Sequence, residues 1–415
     1  MESGVADRLV RGKRIAVVTQ GVKLADEVRG YTRFRKVAEV LVQAGFEVDL
    51  ITSSFQHWDK AQRDISREVY QMLPYRVVFL EEPGYRRNLD LRRIRSHAAF
   101  ARNLDAYFHA NEGRYSLVYS EIPPNDMALV CARFAREQEI PYVADINDLW
   151  PEAMRMALNV PLVSDIAFRH FARDAHEVYG LLSAAVGTSD EYALRPAADR
   201  TAPYKHVTVY VGNDLAVFDE GVRAHSGEIE KPEGEVWFAY AGTLGASYDI
   251  ATLVKAADCL KDAYPNVRVK ILGDGPDRTK LEALAAKLGA PVDFLGYQDY
   301  AHMAAWLAKS DVTVNSLVRK APQSVVTKIG DYLASGHPMI NTGSSPEMCT
   351  LLERNAFGVN VVAEDVAELA GAMEVLASAP AACRRMGEAA RKVAERDFDQ
   401  VQSYQRIVEL VRSLA

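Results

Sequence analysis

The sequence predicts an α/β protein made of two Rossmann-like, doubly wound domains facing each other across a cleft. Three observations carry this. Apolar strand-like runs alternate with helical periodicities along both halves of the chain; a charged stretch at 219–235 with three glycines and one proline separates those halves; and 415 residues exceed one ordinary domain while leaving each half enough chain for its own core.

Composition narrows the possibilities. Hydrophobic residues at 49% and charged residues at 25% are ordinary for a globular chain, and a net charge of −7 gives no global electrostatic reason to expect nucleic acid. The four cysteines, Cys131, Cys259, Cys349 and Cys383, have no paired ligand spacing, so neither a zinc cage nor a disulfide framework is indicated and reduced thiols are expected. No apolar run reaches membrane-spanning length, and the run before Gly21 is too short for a secretion signal, which predicts a cytoplasmic protein.

In chain order, IAVVTQG at 15–21 is a buried-strand pattern. Residues 31–43 place Phe34, Val37, Ala38 and Leu41 at helical spacing, and Gly45 leads into FEVDLIT, completing a βαβ unit. RVVFL, SLVYSE, YVADIND, AAVGTS and HVTVYVG supply further strands, with helices clearest at 125–138 and 165–182. After the stretch at 219–235, VWFAYAG, VRVKILGDG, VDFLGY, DVTVNSL, PMINTG and GVNVV begin a second series, including a helix capped by Asp365 with Glu368 three residues on. The expected organisation is a first domain at 1–218, a linker at 219–235, a second domain at 236–396 and a closing helix at 397–415 that can return to the first domain.

Residues 322–343, PQSVVTKIGDYLASGHPMINTG, read as loop, short helix and strand, with Ser324 able to cap and Gly336 to stop the helix. Gln323 lies in the incoming loop and Asp331 about two turns later. A helix start with outward amides suits a phosphate, and Lys328 adds a mobile cation for a diphosphate. The same segment also reads as a plain α/β helix burying Ile329, Tyr332 and Leu333. Gly242 and Gly245 in AYAGTLGAS, and Gly273 in ILGDGP, could admit a phosphate to the backbone or simply make tight strand-to-helix turns. Neither matches G-x-G-x-x-G and there is no Walker pattern, so hydride transfer and ATP hydrolysis lose their usual supports.

Taken together, FAYAGTLG, KILGDGPDRTKLEALA, VDFLGY, SDVTVNSL, KIGDYLASGHPMI and AFGVNVV resemble, in family order, the retaining nucleotide-sugar glycosyltransferases of family four, with the GT-B fold, to which many polysaccharide and O-antigen enzymes belong. The first domain matches through the glycine loop at Gly21, DINDLWPE at 145–152, and VYVGND at 209–214, where relatives more often carry a P-N-G turn. The resemblance implies transfer from a nucleoside diphosphate sugar to a glycan or polyprenyl-diphosphate-linked acceptor, with no cofactor; no carboxylate or histidine cluster stands at ligand spacing, so no metal is expected either. It places the donor against Gly21, Gly242, Thr243, Gly245, Gly273, Asp274, Tyr297, Arg319, Lys328 and Asp331. The family's two-glutamate motif falls on Gln323 and Asp331, the first toward the donor sugar and the second toward the ribose; Gln323 keeps hydrogen bonding without charge, and Asp331 has a shorter reach. Glu121 stands where many relatives have a histidine and could accept from the acceptor hydroxyl, or could be a surface carboxylate ending a strand; Asp145 and Asp148 are rivals for that role. The same architecture serves nucleotide-sugar 2-epimerases, and the altered motif also admits a sugar-nucleotide-binding subunit without catalysis.

One basic stretch stands apart. Arg86, Arg87, Arg92, Arg93, Arg95 and Arg102 face only Asp90, while Leu91, Ile94, Ala98 and Ala101 recur at helical intervals. Such a helix can lie on the anionic inner face of a membrane, meet a lipid-diphosphate acceptor, or be a solvated face.

Overall fold

The computed structural model describes residues 12–27, 31–87, 90–152, 161–200, 202–321 and 325–415, with backbone only for 161–167. The chain forms two compact units, Met1–Val209 with Tyr404–Ala415, and Tyr210–Ser403.

The first unit contains β1 (Arg14–Val18), β2 (Glu47–Ser53), a small antiparallel hairpin of β3 (Phe55–Gln56) and β4 (Ala61–Gln62), β5 (Arg76–Leu80), β6 (Leu117–Ile122), β7 (Tyr142–Ile146), β8 (Ala184–Gly187) and β9 (Lys205–Thr208). Seven of these form a parallel sheet in the order β5-β2-β1-β6-β7-β8-β9. A parallel sheet is covered on both faces, which is why its strands read as unbroken apolar runs. Alternate residues of β1 divide between two cores. Ile15 and Val17 pack with Phe34, Val37 and Leu41 of the helix Arg33–Gln43, whereas Ala16 and Val18 pack with Phe100, Leu104 and Phe108 of the helix Leu91–His109. Strand order reverses between β1 and β6, and Val18 pairs with Ser120, so the residues that follow both strands emerge side by side.

The second unit contains β10 (Val236–Ala241), β11 (Val267–Leu272), β12 (Val292–Gly296), β13 (Val312–Asn315), β14 (Met339–Asn341) and β15 (Gly358–Asn360) in one parallel sheet, order β12-β11-β10-β13-β14-β15. Side-chain caps start its helices: Asp249 accepts from Thr252 N, Asp299 from His302 N, Ser345 from Met348 N and Asp365 from Glu368 N. Here too the strand order reverses, between β10 and β13.

Two boundaries differ from the sequence reading. The units divide at Val209/Tyr210, ahead of the linker expected at 219–235. Part of that stretch is the helix Leu215–His225, capped by Asp214 and burying Leu215, Phe218 and Gly221. Gly221 meets the helix Tyr300–Lys309 so closely that a Cβ there would lie 2.8 Å from Ala301 Cα; of the charges read as linker, Asp219, Glu220 and Arg223 lie on this helix and the rest follow it. The closing segment that joins the first unit begins at Tyr404, and its Tyr404, Ile407, Val408 and Val411 share the core of Phe34 and Leu41.

Candidate functional site

At the carboxyl ends of β1 and β6 in the first unit lies a cavity of about 190 Å³. Gln20, Gly21 and Glu121 line it together with Trp58, Tyr85 and Trp150, and His57, Arg93, His97 and Asp148 are also part of its wall. Glu121 accepts from Thr19 Oγ1 and from the Gln20 backbone N–H at 3.2 Å. Burial outweighs these bonds and pushes its carboxyl up to about 8. Beside it, Gln20 donates to buried Glu82, which burial also raises. Arg93 leaves the exposed face of its helix and lays its guanidinium over the rings of Trp150 and Tyr85, 5.3 and 5.6 Å from their centroids. Burial, with Lys60 and Arg93 adding repulsion, brings His57 down to about 4; burial and Arg93 bring His97 down to about 3. Both imidazoles are therefore neutral near pH 7. Asp148 accepts from Leu149 N at 2.9 Å, and burial raises its carboxyl.

Asp145 corrects the sequence reading. It has no exposed surface and is not part of the cavity lining; it forms an ion pair with equally buried Arg33 at 2.9 Å and accepts from Tyr119 OH. Arg33 in turn donates to Val209 O and Tyr404 OH, so Asp145 anchors the closing segment to the sheet rather than facing a substrate.

In the second unit, Gly242, Thr243, Gly273, Asp274 and Tyr297 come together around a cavity of about 300 Å³. The two turns touch: a Cβ on Gly273, whose φ is +136°, would lie 1.9 Å from Gly242 O. Lys328 points at the same turn, since a Cβ on Gly242 would lie 3.3 Å from its Nζ. That nitrogen is buried, sits 4.1 Å from the centroids of both Tyr240 and Tyr248, and has no hydrogen-bond partner among the described residues. Burial holds it well below the usual lysine range. Asp331 accepts from Asn213 Nδ2 and Tyr300 OH, each at 2.8 Å, and burial pushes its carboxyl up to about 6.

Other expected residues fall elsewhere. The helix after Lys328 is only Ile329–Ala334, with Lys328 at its N-cap, too short to carry the helix-start role expected of it. Gly245 has ordinary contacts and no positive φ, so nothing steric demands glycine there. Arg319 is exposed and donates to Ala363 O at 3.0 Å, fastening a neighbouring loop instead of entering the cavity. Gln323 lies outside the described residues. Arg86, Arg87, Arg92 and Arg95 are exposed beside Leu91 and Ile94, at 78% and 46% exposure, while Arg93 has turned to the cavity. Sequence reasoning missed His57, Trp58, His97 and Trp150 in the first unit, and Asn213 and Tyr300 in the second. Of these, Asn213 carried a signal through its place in the expected P-N-G turn, and Trp150 through its place in DINDLWPE.

Comparison with known proteins gives this geometry a family context. Residues 222–393 match the family model of glycosyl transferases, group 1. That segment holds every second-unit residue of the candidate site except Asn213. Over 181 residues the chain is 27% identical to the putative glycosyltransferase EpsD of Bacillus subtilis, covering 43% of this chain and 45% of the relative. Over 259 residues it is 25% identical to glycogen synthase of Mycobacterium tuberculosis, covering 60% and 62%. The chain thus spans about half to three fifths of these curated relatives. Its fold is also that of Anabaena HepE, solved in complex with UDP, with a TM-score of 0.70 over 97% of this chain and 100% of that one at 16% identity. The two parallel-sheet Rossmann-like units are those of the GT-B fold.

Proposed function

We propose that the protein is a glycosyltransferase that moves a sugar from a nucleoside diphosphate sugar to a glycan or lipid-linked acceptor, with retention at the anomeric carbon. The observation that carries this reading is Lys328: a buried side-chain nitrogen, without a hydrogen-bond partner among the described residues, held by tyrosine rings against a glycine turn. Burying such a group is costly unless an anion completes it. A diphosphate entering at Gly242 and Gly273 supplies that anion, and transfer concentrates negative charge there as the sugar leaves. HepE was solved with UDP and with UDP-glucose, which favours a uridine donor.

Asp331, positioned by Asn213 and Tyr300, accepts from the ribose hydroxyls. In the first unit Glu121 receives the acceptor proton; a carboxyl near 8 is close to the working pH, as a proton-transfer group should be. The aromatic wall of this cavity suits the apolar face of a sugar ring. Lys328 and backbone amides balance the diphosphate, so no metal or cofactor enters the transfer step.

A panel of nucleoside diphosphate sugars in isothermal titration, followed by transfer assays with glycan and polyprenyl-diphosphate acceptors under EDTA, tests this reading. We expect UDP-sugar binding in wild type, binding weakened about 10- to 100-fold in Lys328→Ala, and acceptor-dependent turnover without added metal. Turnover of UDP-N-acetylglucosamine without acceptor would assign the 2-epimerase reaction instead.

A further inference from the structure

We infer that the second unit carries a zinc-type metal site formed by His225, Glu228 and His302. His225 ends the helix Leu215–His225, Glu228 closes the 3-10 turn Ser226–Glu228, and His302 lies in the first turn of the helix Tyr300–Lys309. The two imidazole rings are 3.9 Å apart with a 31° tilt. Glu228 reaches both: Oε1 is 2.9 Å from His225 Nδ1 and Oε2 is 3.4 Å from His302 Nε2. One ligand atom from each residue lies within 4.8 Å of the others. Four-coordinate zinc with bonds near 2.0–2.1 Å needs donor atoms about 3.3 Å apart, so partly exposed side chains need move only by about an ångström to close on an ion.

A second carboxylate makes this more than a surface histidine pair. Asp299 accepts from the His302 backbone N–H at 3.0 Å and lies 2.8 Å from His302 Nδ1. Asp299 thus holds the Nδ1 side of the His302 ring while Nε2 lies 3.4 Å from Glu228 Oε2, so the ring is fixed between two carboxylates. A carboxylate behind a histidine is the usual support of a ligating imidazole, fixing its tautomer and raising its basicity. Two imidazoles and one carboxylate, with a fourth position open to water, select zinc and its borderline neighbours over magnesium or calcium. None of these residues lines either cavity described above. The ion would instead staple the first helix of the unit to the helix Tyr300–Lys309, where Gly221 already brings the backbones together. In sequence only His225-x-x-Glu228 hints at a site, because His302 lies far along the chain.

The test uses tag-free full-length protein stripped with a chelator and titrated with zinc chloride by calorimetry and thermal unfolding. We expect one zinc per chain at micromolar affinity, a rise of a few degrees in Tm, and no response to millimolar magnesium. His302→Ala and His225→Ala should each weaken binding at least 100-fold, and Asp299→Asn about 10- to 100-fold. The metal-free variants should keep the wild-type circular dichroism spectrum. X-ray absorption on zinc-loaded wild type reads the ligands without any substitution, and two imidazoles with one carboxylate are expected. Less than one zinc per chain, a shell without two imidazoles, or unchanged zinc binding in the His225→Ala, His302→Ala double variant would overturn the site.

Discussion

Arg33 and Asp145 pair at 2.9 Å with no surface exposed on either side chain, and the pair also holds Tyr119, Val209 and Tyr404. Removing one member leaves an uncompensated buried charge, which typically costs 3–5 kcal/mol. We therefore expect Asp145→Ala to lose about that much stability in urea unfolding, while the folded fraction still binds nucleotide. A variant with wild-type unfolding but abolished transfer would return Asp145 to the chemistry.

Lys328 should show itself by proton uptake. Its ammonium is disfavoured by burial in the free protein, and an arriving diphosphate favours it, so binding near neutral pH should draw up to one proton from the buffer. Titrations in buffers of different ionisation enthalpy measure this directly. Lys328→Ala should lose the uptake and weaken binding about 10- to 100-fold, the equivalent of roughly 1.5–3 kcal/mol for charged hydrogen bonds. Equal heats in all buffers would mean that Lys328 is already charged or does not meet the ligand.

Glu121 links function to stability. Its carboxyl is raised in the folded state to about 8 from an ordinary 4.5, so the unfolded chain ionises first as pH rises. The stabilisation is present below about 4.5 and is lost as pH climbs through about 8. Asp331 is raised too, to about 6, so the diagnostic quantity is the difference between wild type and Glu121→Gln. We expect Glu121→Gln to lose stability less steeply between pH 5 and 8, and to lower transfer by about 10²- to 10⁴-fold without weakening donor binding. Parallel stability curves for the two proteins would place Glu121 in solvent.

The sheets were legible because β1 and β10 are buried on both faces and so read as apolar runs, and the helix Arg33–Gln43 because one stripe of it is buried. The helix Leu215–His225 was not, since it buries little beyond Leu215 and Phe218 and makes its closest approach through Gly221, leaving no apolar stripe in its second half. Asp145 read as available chemistry because its partner Arg33 lies 112 residues away, and a distant ion pair leaves no spacing signal. Trp58 and Trp150 are single aromatics outside regular elements, with no period to betray them, and only the fold places them around Glu121.

The helix Leu91–His109 gives the last prediction. Arg92 and Arg95 are exposed with Leu91 and Ile94 on its first turns, and Arg86 and Arg87 are exposed just before it, so basic and apolar groups reach solvent together. Each arginine near an anionic bilayer contributes roughly 1 kcal/mol, screened within a Debye length of about 8 Å at physiological salt. We expect the protein to sediment with vesicles containing phosphatidylglycerol but not with neutral vesicles, and to be released by salt. Arg92→Gln with Arg95→Gln should weaken this binding by about 10- to 100-fold while UDP binding in the other unit stays unchanged. Arg93 must be left intact in that variant, because it lines the cavity with Trp150 and its loss would confuse docking with acceptor binding. Wild-type protein that ignores anionic vesicles at low salt would make this a solvated face, and would favour a water-soluble glycan over a lipid-linked acceptor.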